Sequence, residues 1–192
     1  MKRLSTTLTL ALILSATTLK GDTAVKNPTV VMKTSMGSIT IELDAAKAPE
    51  TVKNFLAYVN AKHYDGTVFH RVIDGFMIQG GGFTSDKAQK KTNAPIKNES
   101  ANGLQNKNGT LAMARTGDPN SATAQFFINV KDNGFLDRAQ SQDGYGYCVF
   151  GHVTGGMDVV NKIKATPTSN QGGAFVNAPV TPVVIESVRV AP

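Results

Sequence analysis

The sequence predicts a mainly β domain, a sandwich or a barrel, with two helices that would cover the open ends of a barrel. Three observations support this fold class. Short β-like runs follow one another at intervals marked by turn residues, only two segments after the N-terminus have helical period, and no linker or internal repeat divides the chain. A chain of 192 residues is long enough for one domain with a real core and short for two.

The first two elements are a hairpin and a helix. The segment VVMKTSMGSITIELD (30–44) predicts two strands joined at Met36 and Gly37, because apolar and polar residues alternate after the turn. The segment APETVKNFLAYVNAKHYDG (48–66) switches to helical period, and Pro49 suits its first turn.

The rest of the chain is a series of short β runs bounded by Gly, Asn, Asp or Pro. These runs are TVFHRVI (67–73), FMIQGG (76–81), GTLAMAR (109–115), QFFINV (125–130) and YCVFGHV (147–153). A second helix is predicted at 156–165 and a closing strand at 183–190. Two long loops without repeats, 84–108 and 166–182, are also implied, and loops of that length usually carry function.

The N-terminal segment has the pattern of a secretion signal. Lys2 and Arg3 precede the short apolar run LTLALILSA (8–16), which matches a basic region followed by a hydrophobic region. The run is shorter than the roughly 20 residues that span a bilayer. We therefore expect residues 1–24 to be a signal peptide, with the cleavage site left open, and the mature protein to have no stable membrane insertion.

Charge and cysteine content exclude several classes of protein. The net charge of +6 falls to +4 beyond residue 24, and KAQKK (87–91) is the only dense basic run, so we expect no nucleic-acid partner. Cys148 is the single cysteine and cannot form an internal disulfide. Its apolar, strand-like surroundings predict a buried and inert thiol.

The motifs exclude hydrolytic, metal and redox chemistry. The three histidines have no zinc-like spacing, and neither a G-x-S-x-G elbow nor a Cys–His pair is present. His70 is interpreted as a satisfied core histidine. The glycines of QGGG (79–82) are not followed by GK[ST] or a helix start, so they predict close backbone approach or a strand kink. We expect no metal and no cofactor.

Adjacent aromatic residues predict an apolar surface outside the core. Phe126 and Phe127 must face opposite sides of a strand, and only one side can be the interior. The outer patch calls for a ligand or partner.

Arg71 lies in another apolar run, FHRVIDGFMIQGGGF (69–83), where a charged group without a partner would be costly if buried. Catalysis of rotation about an X–Pro peptide bond needs no more than one fixed cation, some amides and an apolar patch.

Ordered motifs give this interpretation a family. They are FHRVIDGFMIQGG (69–81), GTLAMART (109–116), SATAQFFINV (121–130), FLD (135–137) and VFGHV (149–153). With them the chain resembles the cyclophilin family of peptidyl-prolyl cis-trans isomerases over residues 28–190, and most of all its exported bacterial branch. The resemblance implies a closed eight-stranded antiparallel β-barrel capped by two α-helices, with the site on its outer face. It also implies a periplasmic enzyme that assists the folding of exported proteins.

The resemblance assigns roles to named residues. The pocket for proline would be lined by Phe76, Met77, Phe127 and Leu136; Gln79 and Gln125 would bind the substrate backbone; Ala114 and Arg115 would border the neighbouring groove; Phe135 and Tyr147 would form a wall. Phe135 stands where the family often has tryptophan, Tyr147 where it often has histidine, and Arg115 where asparagine is common. Because the family binds cyclosporin-type drugs through the tryptophan NH, we expect weak inhibition.

Arg71 is the predicted catalytic residue. The planar amide resists rotation by about 18–20 kcal/mol, and in the twisted state the proline nitrogen regains a lone pair that Arg71 can bind. An acceleration of five decades needs roughly 7 kcal/mol, and one charge-assisted hydrogen bond contributes about 1.5–3 kcal/mol. Arg71 therefore needs help from positioning and from a low-polarity pocket.

Two interpretations remain open from the sequence. The first is an isomerase that we expect to be a monomer, whose substrates are unfolded or partly folded polypeptides that contain proline. The second is a chaperone-like binding module that uses the same groove without useful turnover. Arg71 favours the isomerase, because a binder has no need of a donor aimed at the proline nitrogen.

Overall fold

The computed structural model describes residues 27–192, so the predicted signal peptide lies outside the described residues. The ten strands are β1 (Thr29–Thr34), β2 (Gly37–Leu43), β3 (Thr67–Ile73), β4 (Met77–Thr84), β5 (Thr110–Met113), β6 (Phe126–Asn129), β7 (Val149–Gly155), β8 (Thr168–Ser169), β9 (Ala178–Pro179) and β10 (Val184–Val190). The two helices are α1 (Pro49–Asn60) and α2 (Met157–Lys164). None of the helices in this part of the chain has the length and apolar character needed to cross a membrane.

Eight of these strands form a closed antiparallel barrel in the order β1-β10-β3-β4-β6-β5-β7-β2. This confirms the predicted fold class. The remaining two strands, β8 and β9, pair with each other inside the segment 166–182. The prediction of a long loop without repeats there was incomplete, because a ribbon of two-residue strands leaves no periodic pattern in the sequence.

The barrel interior is filled by large apolar side chains. Phe55 of α1 packs its ring against those of Tyr64, Phe126 and Phe150, with ring centroids 5.0–5.9 Å apart. All four residues have no exposed surface. Because α1 supplies Phe55 to this cluster, it closes one end of the barrel, as its apolar stripe predicted.

A distant carboxylate completes the N-terminus of α1. The residue before the helix, Ala48, has no side chain that could accept a hydrogen bond from the first backbone amides. Glu99, in the long loop after β4, accepts from the amides of Glu50 and Thr51 at 3.2 and 2.8 Å and from the Thr51 hydroxyl at 2.7 Å. A negative group at this position accepts hydrogen bonds from the free N–H donors and interacts favourably with the positive end of the helix dipole. The loop is thereby fixed to the helix.

A β-bulge in β3 decides where Arg71 points. Phe69 pairs with Gly80 and Arg71 with Gln79, so His70 is an extra residue without a partner in β4. Phe69 is buried in the barrel interior, and strict alternation would turn Arg71 to the same side. The bulge resets the alternation and directs Arg71 to the outer face.

Candidate active site

Strand register places the central residues of the site in one row on the outer wall of the barrel. Arg71 of β3 lies beside Gln79 of β4, Gln79 beside Phe127 of β6, and Phe127 beside Ala112 of β5. These neighbours lie on consecutive strands, so their side chains share a face. The preceding row, which includes Phe126, faces the interior. The prediction that Phe126 and Phe127 serve opposite sides is confirmed.

A cavity of about 140 Å³ opens on this face. Its walls contain Arg71, Phe76, Met77, Gln79, Ala114, Arg115, Phe127, Leu136 and Tyr147. Drug-sized ligands occupy pockets of about 300–1,000 Å³, so this cavity suits a small apolar ring. Nine of the eleven residues assigned from the sequence thus meet in one hollow, and Gln125 and Phe135 lie at its border.

The floor of the cavity is apolar and buried. Met77, Phe127 and Leu136 are at least 92% buried and form a cluster separate from the barrel interior. The Phe127 ring meets the Tyr147 ring edge-on at 5.7 Å. An apolar floor of this kind favours a hydrocarbon ring and excludes water from groups bound above it.

Arg71 lies at the rim with its charge available to a ligand. Its guanidinium carbon is 5.8 Å from the centre of the Phe76 ring, and Nη1 donates to Gln79 Oε1 at 3.5 Å, the long limit of a hydrogen bond. The nearest carboxylate in sequence, Asp74, pairs instead with Lys164 at 3.5 Å. Within residues 27–192, no carboxylate forms an ion pair with Arg71.

Two glutamines form the polar edge beside Arg71. Gln79 Nε2 donates to Gln125 Oε1 at 3.0 Å. The NH₂ group of Gln125 has no acceptor within residues 27–192 and can donate to a ligand. Gly82 makes room for this arrangement, because a Cβ there would lie 2.6 Å from Gln125 Cγ. Gly81, at φ +86°, has the left-handed backbone that favours glycine. Of the two predicted alternatives, close backbone approach or a strand kink, close approach is confirmed.

Arg115 differs from Arg71 in its charge balance. Its side chain is only 4% exposed and pairs with Asp143, while Nε donates to the Gly146 carbonyl at 3.1 Å. The guanidinium also lies 4.5 Å above the Tyr147 ring. The amides of Tyr145 and Gly146, together with Arg115, hold the pKa of the Asp143 carboxyl well below its usual range. Arg115 therefore reaches the cavity as part of a neutralised, internally bonded wall.

Phe135 and the residues behind it extend this wall. Phe135 is 56% exposed, and its ring stacks on the Phe76 ring at a centroid distance of 5.7 Å and an angle of 26°. The sequence reasoning missed Asp143 and three buried asparagines behind the wall, Asn106, Asn129 and Asn133. A single sequence offers little signal for them, since Asp and Asn are also the ordinary residues of turns.

The other residues considered from the sequence lie apart from the cavity. Cys148 is 4% exposed, and burial raises the pKa of its thiol to about 11, which confirms a buried thiol. His70 is buried as predicted, but the expectation of a satisfied histidine was wrong, because its Nδ1 has no hydrogen-bond partner within residues 27–192. The same residues contain no group of three or more His, Cys, Asp or Glu side chains that could hold a metal ion.

The closed β-barrel thus carries a small apolar pocket, an arginine and two glutamines on its outer wall. The cyclophilin-type peptidyl-prolyl cis-trans isomerase family matches residues 29–190. The chain belongs to this family and is a peptidyl-prolyl cis-trans isomerase.

Individual relatives agree with this assignment. Peptidyl-prolyl cis-trans isomerase cyp18 of Streptomyces antibioticus is 61% identical over 163 residues, which cover 84% of this chain and 98% of the relative. Peptidyl-prolyl cis-trans isomerase B of Escherichia coli is 56% identical and covers 84% and 99%. A crystal structure of a cyclophilin-type isomerase of Cryptosporidium parvum has a TM-score of 0.70 at 25% identity and covers 86% of this chain and 98% of its own.

Proposed function

We propose that Arg71 is the catalytic residue and that the cavity beside it holds the proline ring of an X–Pro segment. The observation that carries this proposal is the free guanidinium at the rim of the apolar pocket. Among the acceptors of residues 27–192, the guanidinium of Arg71 is hydrogen-bonded to one neutral amide oxygen, at 3.5 Å, so little interaction must be given up before it binds a substrate.

The electrostatics of the rim suit a lone pair that exists only during rotation. In the planar amide the nitrogen lone pair is delocalised and accepts poorly, whereas in the twisted amide it is localised. Arg71 therefore binds the twisted state better than the planar state, as catalysis requires. A charge-assisted hydrogen bond contributes about 1.5–3 kcal/mol, which corresponds to roughly 10- to 100-fold in rate.

The remaining acceleration is assigned to positioning. Met77, Phe127 and Leu136 would hold the proline ring, while the free amide group of Gln125 would bind a backbone carbonyl of the substrate. If one side of the bond is held while the other turns, the reacting groups stay in the productive geometry. Ala114 and the Arg115–Tyr147 wall would border the residues next to the proline.

The biological setting is part of the proposal. Residues 1–24 would direct export, and the periplasmic, monomeric enzyme would act, chaperone-like, on proline-containing segments of exported proteins before they fold. Fractionation of the native host, with mass determination of the mature N-terminus, tests this part. Recovery of the full-length chain from the cytoplasm would contradict it.

Turnover is tested with a protease-coupled assay on an Xaa-Pro peptide. We expect Arg71→Ala to lower kcat by roughly 10- to 100-fold with little change in KM, because the contact forms only in the twisted state. Arg189→Ala is the matched control, since Arg189 pairs with Asp65 at 2.6 Å on another part of the surface. Background rates in wild type and variant alike would support the binding module instead.

A further inference from the structure

Behind the candidate proline pocket lies a polar cluster that takes no part in the chemistry proposed above. Asn106, Asn129 and Asn133 are each at least 98% buried. A buried amide is costly unless its hydrogen-bonding groups find partners. Among side-chain polar atoms that are fully buried in residues 27–192, the one without a partner belongs to His70, so no fully buried side-chain atom of the three asparagines lacks a partner. We call them, together with Asp137, the asparagine cluster.

Asn133 connects the end of β6 to the turn between β3 and β4 through its side-chain NH₂ group. Its Nδ2 donates to Asn129 Oδ1 at 2.7 Å and to the backbone carbonyl of Phe76 at 2.8 Å. Asn129 in turn donates to Asn106 Oδ1 at 3.1 Å and to the Thr110 hydroxyl at 3.0 Å. Both hydrogens of each amide group are therefore used, which fixes the orientation of both side chains.

The cluster also fixes the other wall of the pocket. The amide and the side chain of Asn106 both donate to Asp137 Oδ1, at 2.6 and 2.9 Å. The Asn133 backbone N–H donates to the Asn106 carbonyl at 2.7 Å, and the Leu136 N–H donates to the Asn133 carbonyl at 2.8 Å. The short turn that carries Phe135 and Leu136 is thus bonded to the cluster at both of its ends.

The two walls connected in this way are the two that enclose the pocket. Phe76 comes from the turn between β3 and β4, and Leu136 comes from a turn 60 positions later in the chain. Within residues 27–192, the connections between the two walls include the asparagine cluster, the Phe76–Phe135 ring stack and the Val130 N–H at the end of β6, which donates to the Phe76 carbonyl at 3.1 Å. The spacing of the walls therefore depends in part on the cluster.

We propose that Asn133, supported by Asn129, Asn106 and Asp137, is a positioning residue that sets the width of the proline pocket. Asn133 touches the backbone of Phe76 and of the Leu136 turn and does not line the cavity. It acts through these residues. This inference rests on the proposed placement of the proline ring between them.

The main test is Asn133→Asp, which keeps the shape and removes the donor. A carboxylate would then face the Phe76 carbonyl and Asn129 Oδ1, both acceptors, and the walls would separate. We expect KM for an Xaa-Pro peptide to rise about tenfold while kcat changes less than twofold, because contacts to the ring are made in both the planar and the twisted state. Arg71→Ala should show the opposite pattern.

Methyl NMR distinguishes positioning from a general loss of stability. In folded Asn133→Asp the methyl signals of Met77 and Leu136 should shift, while those of Met32 and Leu111 in the barrel interior should not. Ile185→Val, a small loss in the core, is the control matched by melting temperature. It should leave both the pocket signals and KM unchanged.

A milder variant decides the question if Asn133→Asp does not fold. Asp137→Asn keeps an acceptor oxygen but removes the charge, and we expect a twofold rise in KM with the same direction of methyl shift. A folded variant with wild-type KM and unshifted pocket methyls would overturn the inference. The failure of Arg71→Ala to lower kcat would overturn the proposed mechanism alone, because the Asn133 series is measured through KM and the methyl signals.

Discussion

The two sides of the wall formed by β4 and β6 are packed in different ways. On the inner side, Phe126 packs with Phe55, Tyr64 and Phe69 in an aromatic cluster with ring centroids 5.6–6.2 Å apart. On the outer side, Phe127 belongs to a smaller apolar cluster that opens to a cavity and is bordered by charged and amide side chains. Both rings are more than 95% buried.

The difference shows that burial alone does not separate core from site. Inside the barrel, the walls are held by strand pairing and by rings that contact rings on every side. Outside it, hydrogen bonds of buried asparagines and the Arg115–Asp143 pair hold the walls. Directional bonds allow a hollow to remain open, whereas nondirectional apolar packing fills it.

Removal of each phenylalanine gives the largest contrast between the two sides. Phe126→Ala should lower the free energy of unfolding by about 3–5 kcal/mol, because it leaves a cavity among rings that cannot collapse. Phe127→Ala should cost less stability, since its site already borders a cavity, and should raise KM for an Xaa-Pro peptide. Urea denaturation and the protease-coupled assay measure the two effects.

The comparison fails if the two variants lose equal stability and equal activity. In that case the outer cluster would be a continuation of the core. Phe150→Ala is a useful companion, because Phe150 packs against Phe55 in the interior and is expected to behave like Phe126→Ala.

The fold could be predicted because its signals are local. The alternation in β2, the helical stripe of α1 and the turn residues between strands each fix one element, and the closed eight-stranded barrel was then implied by the resemblance. The paired phenylalanines also revealed the outer patch without any structural information, since adjacent residues in a strand must face opposite ways.

The site could be predicted only as far as its motifs extend. The outward direction of Arg71 depends on the bulge at His70, and an extra residue in one strand is visible only when the partner strand is known. The ion pair of Arg115 joins residues 28 positions apart, and the asparagine cluster joins three loops. Such contacts depend on tertiary structure, and the sequence pattern around them is that of ordinary turns.

A buried histidine on the outer wall provides the second test. His70 is 2% exposed and lies 4.9 Å from the Phe83 ring and 6.0 Å from the Phe175 ring, centroid to centroid. Burial, with a smaller contribution from the charge of Arg71, lowers the pKa of His70 from 6.5 to about 4, although a hydrogen bond with the Val68 backbone opposes the shift. The second cation nearby is Lys87, 5.5 Å from the centre of the Phe175 ring.

Because the pKa is depressed in the folded state, the unfolded chain binds the proton more readily. The contribution of neutral His70 to the free energy of unfolding is fully present above pH 6.5 and is lost as the pH falls towards 4. The loss amounts to about 3 kcal/mol for a pKa difference of this size. Thermal or urea denaturation at pH 7, 5.5 and 4 measures the slope. His70→Leu should flatten it, and a variant that keeps the wild-type slope would show that other groups cause it.

The third test concerns Glu99, whose loop follows β4 and contacts the N-terminus of α1. Glu99→Gln keeps the shape of the side chain and removes its charge from the helix N-terminus. We expect a loss of about 1 kcal/mol in the free energy of unfolding, from weaker hydrogen bonds and a lost dipole interaction. Glu50→Gln, an exposed change in the same turn, should cost less than half as much, and equal losses would mean that only the dipole matters. Unlike the Phe127 variant, Glu99→Gln should leave KM unchanged.

The smallest expected effect lies at the rim, where the outer wall meets solvent. Phe135 stacks on Phe76 and offers no hydrogen-bond donor to a bound molecule. Cyclosporin should therefore inhibit the wild-type enzyme only weakly. Phe135→Trp adds one N–H, and a single neutral hydrogen bond of about 0.5–1.5 kcal/mol should improve affinity by a few-fold to about tenfold. Calorimetry measures this change, with Phe135→Leu as the variant that removes the ring without adding a donor. Nanomolar binding by the wild type would mean that the wall binds the drug through apolar contacts alone, like those between the aromatic rings of the barrel interior.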